Sequence, residues 1–226
     1  GDLMAVKEGR AGVQDEGSQL VCLALDRVNT PDGPWLDLCA GPGGKSALLA
    51  GLARRRGEYL VANEVAAHRA ELVEKALAVY PPGTVNVICS DGRDSEPVRA
   101  RRPFARIMVD APCSGLGALR RRPEARWRRT PDDVAELVLL QRALLKTAIG
   151  LLTPGGVVAY VTCSPHADET TGVVEAVMAD FPDLKLLDAS SLLPEVPNAT
   201  RRGCVQLWPH RHGTDAMFLA LLRCMS

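Results

Sequence analysis

Two cysteines of this chain stand in short stretches of small polar residues, a setting suited to reactive thiols. Cys113 lies in Asp110-Ala-Pro-Cys-Ser-Gly115, and Cys163 lies in Thr162-Cys-Ser-Pro165. A thiolate is strongly nucleophilic near neutral pH and can form a covalent intermediate with its substrate. A lone cysteine at a strand end is more often a small buried apolar residue. Two cysteines in such surroundings instead favour nucleophilic chemistry.

The seven cysteines do not show the pattern of a metal site or of a disulfide framework, because none belongs to a C-x-x-C pair. A zinc deaminase also uses a Pro-Cys element, but it requires P-C-x-x-C and an upstream H-x-E. Leu116 stands where the second of those cysteines would be, and no H-x-E occurs. We therefore expect no bound metal. Dispersed cysteines are typical of a reducing compartment, so we expect a cytoplasmic protein.

A glycine-rich segment, Asp37-Leu-Cys-Ala-Gly-Pro-Gly-Gly-Lys-Ser46, follows a predicted strand and opens a predicted helix. It is not a P-loop, because that motif needs glycine where Cys39 stands. It matches the dinucleotide fingerprint only in part, because Ser46 replaces the third glycine or alanine. The favoured interpretation is an S-adenosylmethionine loop, in which glycines allow close approach of the cofactor's methionine part. A strand-to-helix turn that binds nothing is the weaker alternative.

Two carboxylates downstream of this loop have the spacing of an adenosine site. Glu64 ends the second predicted strand, where a carboxylate can accept hydrogen bonds from both ribose hydroxyls. Asp91 ends the third strand, where it could receive the adenine amino group. Either residue alone is more often a surface helix cap. In sequence with the glycine loop, the two predict a slot shaped for adenosine.

The elements that must position these groups alternate along the chain. Predicted strands cover 35–39, 59–63, 85–89, 105–109 and 157–161, with two more between 203 and 223, and predicted helices cover 15–28, 45–55, 65–79, 132–152 and 168–180. This alternation predicts a parallel sheet with helices on both faces. Ligands of such sheets bind beyond the carboxyl ends of the strands. All the candidate groups fall there.

The same arrangement suggests a substrate for the two thiols. Neighbouring strands lie about 5 Å apart, so Cys113 and Cys163 could face one base. C5 of cytosine is a poor nucleophile, and it becomes reactive only when another group adds to C6. A thiolate is suited to that addition.

The composition is that of an ordinary globular domain, with 226 residues and a formal net charge of zero. No apolar run is long enough for a membrane helix, and no signal peptide is evident. Two arginine clusters break the neutral average, the first made of Arg99, Arg101, Arg102 and Arg106, the second of Arg120, Arg121, Arg122, Arg126, Arg128 and Arg129 around Trp127. We interpret the first as a solvated face and the second as a nucleic-acid contact.

The chain resembles the Sun/Fmu family of RNA cytosine-5 methyltransferases over nearly its whole length, and most closely the bacterial members that modify 16S ribosomal RNA. The segments that carry the resemblance are Val13–Val21, Leu36–Lys45, Asp110–Gly115, Arg122-Pro-Glu124, Gln141, Pro154-Gly-Gly156 and Tyr160–Ser164. The resemblance implies a class I Rossmann-like α/β fold, with a mostly parallel seven-stranded sheet and helices on both faces. It further implies a helical segment over residues 1–33 that packs on a methyltransferase domain over residues 34–226. The expected protein is a monomer that uses S-adenosylmethionine and binds RNA, but neither metal nor membrane.

The resemblance also assigns roles to residues. Cys163 is expected to be the nucleophile at C6, Cys113 to assist proton removal at C5, and Asp110 to hold the cytosine edge. The expected cofactor residues are Cys39, Ala40, Gly41, Pro42, Gly43, Gly44, Lys45, Glu64, Asp91 and Asp110. The expected RNA-contacting residues are Arg120, Arg121, Arg122, Arg126 and Trp127.

The chain departs from the family pattern at four places. Gly41 replaces the usual alanine, Glu64 replaces the commoner aspartate, and the segments 168–171 and 215–218 differ from the usual motifs. Bacterial members of the family often carry an N-terminal RNA-binding region, and this sequence begins close to the expected catalytic core. Two alternatives stay open: Cys113 as the nucleophile, as in DNA cytosine-5 enzymes, or a cofactor- or RNA-binding module without turnover.

Overall fold

The computed structural model describes residues 3–8, 11–94, 96–101 and 103–225. Buried apolar strands alternate with helices along these residues. The strands are β1 (Trp35–Asp37), β2 (Leu60–Glu64), β3 (Val85–Cys89), β4 (Phe104–Asp110), β5 (Leu152–Thr162), β6 (Leu184–Leu187), β7 (Thr200–Arg201), β8 (Cys204–Gln206) and β9 (Phe218–Cys224). The helices are α1 (Met4–Lys7), α2 (Glu16–Arg27), α3 (Gly44–Arg55), α4 (Ala67–Leu77), α5 (Glu96–Arg99), α6 (Ala125–Arg128), α7 (Pro131–Ile149), α8 (Thr171–Asp180) and α9 (Pro209–His212).

The nine strands of the described residues form one sheet in the order β3-β2-β1-β4-β5-β9, with β8 and then β7 beyond β9. β6 also pairs with β9, next to the stretch that β8 occupies. β1 to β5 pair in parallel, whereas β9 is antiparallel to its neighbours. The predicted count of seven strands is therefore wrong. The sequence pattern misses β6 and β7, because Leu-Lys-Leu-Leu and a two-residue strand show no clear alternation of apolar and polar residues.

The parallel register brings the carboxyl ends of the first five strands to one edge of the sheet. Asp110 at the end of β4 lies opposite Val161 of β5, so the segments that carry Cys113 and Cys163 leave the sheet side by side. Glu64 ends β2 at the same edge. Loops at this edge are not constrained by the sheet ladder, so they are free to carry binding groups.

Helices cover both faces of the sheet, as predicted. Apolar side chains of α2, α3 and α4 pack on one face, and those of α7 and α8 pack on the other. α7 begins at Pro131 because the Thr130 side chain caps it by accepting a hydrogen bond from the backbone N–H of Asp133. The helix ends at Ile149, earlier than predicted, because β5 already begins at Leu152. No helix of the described residues has both the length and the apolar character that crossing a membrane requires.

The first arginine cluster is not a uniform solvated face. Arg106 of β4 is buried, with its guanidinium carbon 4.9 Å from the centre of the Trp35 ring and Nη1 3.7 Å from a Glu58 carboxylate oxygen. Its Nη2 donates to the carbonyl of Val28 at 2.9 Å. The solvated interpretation is wrong for Arg106, because its partners come from segments far away in the sequence. Arg102 lies outside the described residues.

Candidate active site

A cavity of about 730 Å³ opens at the carboxyl edge of the sheet, where the candidate residues were predicted to converge. It is lined by the three predicted catalytic residues, Asp110, Cys113 and Cys163. The predicted cofactor residues that also line it are Cys39, Gly41, Pro42, Glu64 and Asp91. Further lining residues that sequence reasoning missed include Asn63, Val65, Arg69, Arg93, Leu140 and Leu144. One cavity therefore combines the two thiols with the carboxylates of three strand ends.

The remaining residues of the predicted glycine loop serve the backbone turn and the packing of α3. Gly43 is the N-cap of α3 with a φ of 107°, and a Cβ there would meet the Ala76 side chain of α4 at 2.7 Å. Its glycine character thus serves backbone conformation and helix packing. Ala40 is buried, and Gly44 is the first residue of α3. These three residues do not line the cavity in the structure, so the loop contacts it chiefly through Cys39, Gly41 and Pro42.

The carboxyl group of Glu64 is held by backbone N–H groups on both sides. Gly41 donates to its Oε2 and Ala66 donates to its Oε1, each at 3.0 Å. Arg69 also contacts the backbone of Gly41, with its Nη2 donating to the Gly41 carbonyl at 2.6 Å. Glu64 is only 3% exposed. Each carboxylate oxygen keeps acceptor capacity for a second donor from the cavity.

The two departures at Gly41 and Glu64 belong together in space. A Cβ on Gly41 would collide with Glu64 Oε2 and would lie 2.8 Å from Nε of Arg69. The absent side chain at Gly41 therefore makes room for the longer acid at Glu64 to receive the Gly41 N–H.

Asp91 projects from the segment after β3, and Arg93 holds it. Nε and Nη2 of Arg93 both donate to the Asp91 carboxylate, Nε at 3.0 Å and Nη2 at 2.5 Å. These hydrogen bonds lower the pKa of Asp91. A charged carboxylate at the cavity wall can accept from an amino group.

Lys45 does not line the cavity but contacts Asp110, one of the predicted catalytic residues. Its Nζ lies 2.8 Å from Asp110 Oδ2, and its side chain is 15% exposed. Burial disfavours the charged form, but the Asp110 carboxylate outweighs burial and raises the pKa of Lys45. The neighbouring Asp37 is fully buried, and burial raises its pKa to about 7 although Ser46 donates to it at 2.7 Å. Lys45 thus supplies a fixed positive charge beside Asp110.

The Sγ atoms of Cys113 and Cys163 lie 3.4 Å apart, within hydrogen-bonding distance. This hydrogen bond lowers the pKa of Cys163, a change that burial and the Asp110 charge oppose and that the Lys45 charge assists. The same hydrogen bond, together with burial, raises the pKa of Cys113. A thiol that donates to its neighbour stabilises the neighbour's thiolate. Cys163 is therefore the more readily ionised thiol of the pair.

Glu169 connects the segments that carry Cys113 and Cys163 through buried hydrogen bonds. Its Oε1 accepts from the backbone N–H of Ser114 at 2.7 Å, and its Oε2 accepts from the hydroxyls of Ser114 and Ser164 at 2.5 and 2.6 Å. Gln141 Nε2 donates to Oε1 at 3.1 Å and to the carbonyl of Pro112 at 2.8 Å. Glu169 is completely buried. One carboxyl group therefore fixes the residues that directly follow both thiols.

Sequence reasoning did not single out Glu169. It lies in the segment 168–171, which differs from the usual family motif. Its partners Ser114 and Gln141 are 55 and 28 residues away along the chain, so no local pattern could mark it.

The second arginine cluster divides into two groups. Arg120 Nε donates to Asp215 Oδ1 at 2.9 Å, and Arg121 binds the same carboxylate, which is 1% exposed. Arg120 also pairs with Asp15. Burial would raise the pKa of Asp215, but the two guanidiniums lower it. In this structure Arg120 and Arg121 form ion pairs that connect the segment after Cys113 to the segment before β9, and their contact with RNA stays a prediction.

The other members of the cluster point elsewhere. Arg122 lines the catalytic cavity, as do Arg128 and Arg129. Trp127 is 82% exposed, and the Arg126 guanidinium carbon lies 5.8 Å from its ring centre. An exposed indole beside guanidinium groups is a surface suited to stacking with a base. Among the described residues, no group of three or more His, Cys, Asp or Glu side chains is placed to hold a metal ion.

Comparisons with known proteins identify the family and the fold. The family model described as 16S rRNA methyltransferase RsmB/F matches residues 22–223. A Mycobacterium tuberculosis protein named as a methyltransferase, with no stated substrate, is 54% identical over 99% of this chain and 48% of its own length. The ribosomal RNA small subunit methyltransferase B of Sodalis glossinidius is 35% identical over 97% of this chain and 48% of its own. The chain therefore spans about half the length of these relatives.

A solved structure of similar fold is NSun6 from Pyrococcus horikoshii with SFG, at a TM-score of 0.84 and 26% identity. The match covers 100% of this chain and 56% of that one. The expected Rossmann-like methyltransferase fold is thereby confirmed.

Proposed function

Because this chain belongs to the RsmB/F family of 16S rRNA methyltransferases, we propose that it methylates C5 of a cytosine in RNA, with 16S rRNA as the substrate. The methyl donor is S-adenosylmethionine, and Cys163 forms a covalent bond to C6 during the reaction. The observation that carries the proposal is the pair of Sγ atoms 3.4 Å apart in the cavity that Glu64 and Asp91 also line.

The described residues fit the cofactor. Glu64 keeps acceptor capacity on both oxygens for the ribose hydroxyls, and Asp91 accepts from the adenine amino group. Gly41 leaves the backbone bare where the methionine part would lie. Bound there, S-adenosylmethionine supplies an electrophilic methyl group. The lining side chains of Val65, Leu140 and Leu144 offer apolar surface to the adenine ring.

The chain's own groups perform the steps on the base. The Cys163 thiolate adds to C6, and the electron pair of the C5–C6 double bond becomes available at C5 for the new C–CH₃ bond. Asp110, held by Lys45, accepts a hydrogen bond from the cytosine edge. Cys113 then assists removal of the proton from C5, and the electrons of that C–H bond restore the double bond as the Cys163 sulfur leaves. The fixed Lys45 charge favours the thiolate form of Cys163 at the start and at the end.

RNA reaches the cavity past the exposed arginines. Arg122 and Arg128 line the cavity and make no ion pair with another described residue, so they are available for phosphate. Trp127 is available for stacking with an unpaired base. Arg120 and Arg121 act indirectly, by holding the segment that follows Cys113.

Methyl transfer to RNA tests the proposal directly. The chain is incubated with 16S rRNA and isotopically labelled S-adenosylmethionine, and the RNA is digested to nucleosides for mass spectrometry. We expect label in 5-methylcytidine, and none when S-adenosylhomocysteine replaces the cofactor. Binding of RNA with no transfer would instead support a binding module, and label in a different nucleoside would contradict the reaction proposed.

The fit between Gly41 and Glu64 gives a second prediction. Gly41→Ala places a Cβ against Glu64 Oε2, an overpacking that costs about 1–3 kcal/mol, so we expect the affinity for S-adenosylmethionine to fall about tenfold. Adding Glu64→Asp shortens the acid and should restore most of the affinity. Isothermal titration calorimetry of the single and double variants measures this coupling.

Gly12→Ala is the matched control, because a Cβ on Gly12 meets nothing within 4 Å. If the double variant binds no better than Gly41→Ala, the two residues are not coupled in the way described.

A further inference from the structure

A second cavity of about 600 Å³ adjoins the catalytic cavity and has no role in the mechanism above. Arg129 lines both cavities. The second cavity lies between the segment after Cys113 and the helices α7 and α8, with Leu116 and His166 among its lining residues. Leu116 and His166 each come three residues after one of the two thiols, so they lie at most about 11 Å from it along the chain.

The walls of this cavity combine positive charge with apolar surface. Arg126, Arg129 and Arg142 line it, together with the side chains of Val134 and Val138. None of the three arginines forms an ion pair with another residue of the described chain. Three guanidiniums around one cavity without a facing ion pair favour binding of an anion.

Individual contacts show which of these groups are available. Arg129 Nε donates to the carbonyl of Ser114 at 3.3 Å. Arg142 Nε is buried and has no hydrogen-bond partner among the described residues. Among the residues that line the cavity, Asp168 carries an opposing charge; its side chain is 72% exposed, and its Oδ2 lies 3.8 Å from His166 Nδ1. The guanidinium charge therefore exceeds the carboxylate charge at this cavity.

We propose that this cavity binds the nucleotide next to the target cytosine in the RNA strand. Its phosphate binds the guanidinium groups of Arg126 and Arg142, and its base packs on Leu116, Val134 and Val138. The proposal rests on the proposed function, because it takes the strand that delivers the cytosine to the thiols as its ligand. A volume of about 600 Å³ is within the roughly 300–1,000 Å³ range of ligand sites, enough for a base and its phosphate.

The physical case is continuity of the RNA path. Proteins read single-stranded RNA by separating its bases, packing them on side chains and contacting the phosphates. Leu116 and His166, which directly follow the segments that carry Cys113 and Cys163, line this cavity, and Arg129 lines both cavities. A strand that places one base at the thiols and leaves the catalytic cavity past Arg129 would bring a neighbouring nucleotide to this cavity.

The test measures RNA binding without turnover. Arg126→Ala and Arg142→Ala are compared with wild type by fluorescence anisotropy of a fluorescein-labelled, cytosine-containing single-stranded oligoribonucleotide at several salt concentrations. We expect each variant to bind about tenfold more weakly, and the slope of log K against log salt to fall by about 0.7 per lost phosphate contact. Arg142→Lys keeps the charge and should recover part of the affinity.

Arg54→Ala is the matched control, because Arg54 is an exposed arginine near the end of α3, whose start lies at the carboxyl edge of the sheet. Unchanged affinity for S-adenosylmethionine verifies that each variant is folded. The proposal is overturned if Arg126→Ala and Arg142→Ala bind RNA like wild type, or if Arg54→Ala weakens binding equally. Absence of methyl transfer by the wild-type chain would contradict the proposed function and leave this binding result to stand by itself.

Discussion

Replacing Cys163 with alanine is expected to lower methyl transfer by on the order of 10⁴-fold or more, the scale of losing a covalent nucleophile. Without a thiolate at C6 the C5 carbon stays unreactive, and no protein–RNA adduct forms. Cys113→Ala is expected to lose turnover for a different reason. Its Cys163 still adds to C6, but removal of the proton at C5 is impaired, so the covalent adduct accumulates.

Both outcomes are read from one experiment. Each variant is incubated with S-adenosylmethionine and end-labelled RNA, and the products are separated on a denaturing protein gel. We expect a shifted, protease-sensitive band for Cys113→Ala and none for Cys163→Ala. The assignment of Cys163 as the nucleophile is supported by the hydrogen bond between the thiols, which lowers the pKa of Cys163 and raises the pKa of Cys113.

Cys224→Ala serves as the control, because Cys224 ends β9 at the edge of the sheet opposite the cavity. It should keep turnover near the wild-type rate. Methyl transfer by Cys163→Ala together with its loss in Cys113→Ala would reverse the two roles and make Cys113 the nucleophile.

Among substitutions outside the catalytic cavity, Glu169→Ala is expected to lower the free energy of unfolding the most. The change leaves the Ser114 N–H, two serine hydroxyls and the Gln141 amide of a buried network without their shared acceptor. Each buried donor left unpaired costs about 1–3 kcal/mol, and partial relaxation should limit the total to about 3–5 kcal/mol. Urea unfolding monitored by circular dichroism measures the loss of unfolding free energy.

Glu175→Ala is the matched control on α8, because the Glu175 side chain is 63% exposed and, within the part of the chain that the structure describes, forms an ion pair with an exposed Arg202. It should change the unfolding free energy by no more than about 0.5 kcal/mol. Equal, small effects in both variants would show that the Glu169 network contributes little to stability.

A structural role alone would not change the chemistry of the thiols, so Glu169→Gln provides a second readout. The amide keeps the size of the side chain and one acceptor oxygen, and serine hydroxyls can rotate to accept from its NH₂ group. We expect this variant to fold, to lower kcat more than it raises KM, and to alter the pH dependence of Cys163 alkylation. A wild-type alkylation profile would contradict a positioning role for Glu169.

The sequence by itself determined the element order and the edge at which chemistry occurs. Short apolar runs at 35–39, 59–63, 105–109 and 157–161 predict buried parallel strands, and the carboxyl ends of such strands converge for geometric reasons. These signals are local, because each depends on residues within one strand and the turn after it. The same locality explains why β6 and β7 escaped prediction.

Tertiary structure decided which of these groups face one another. Arg120, Arg121 and Arg122 are consecutive arginines that the sequence does not distinguish. In the structure the first two bind Asp215, which lies more than 90 residues away. The role of Glu169 depends on contacts made by three separate segments. Ionisation depends on burial and on neighbouring charges, so the difference between the two thiols also emerges only when Lys45, Asp110 and both sulfur atoms are brought together. A linear pattern reports residue types and spacing, whereas distances between segments arise from packing of the whole sheet and its helices.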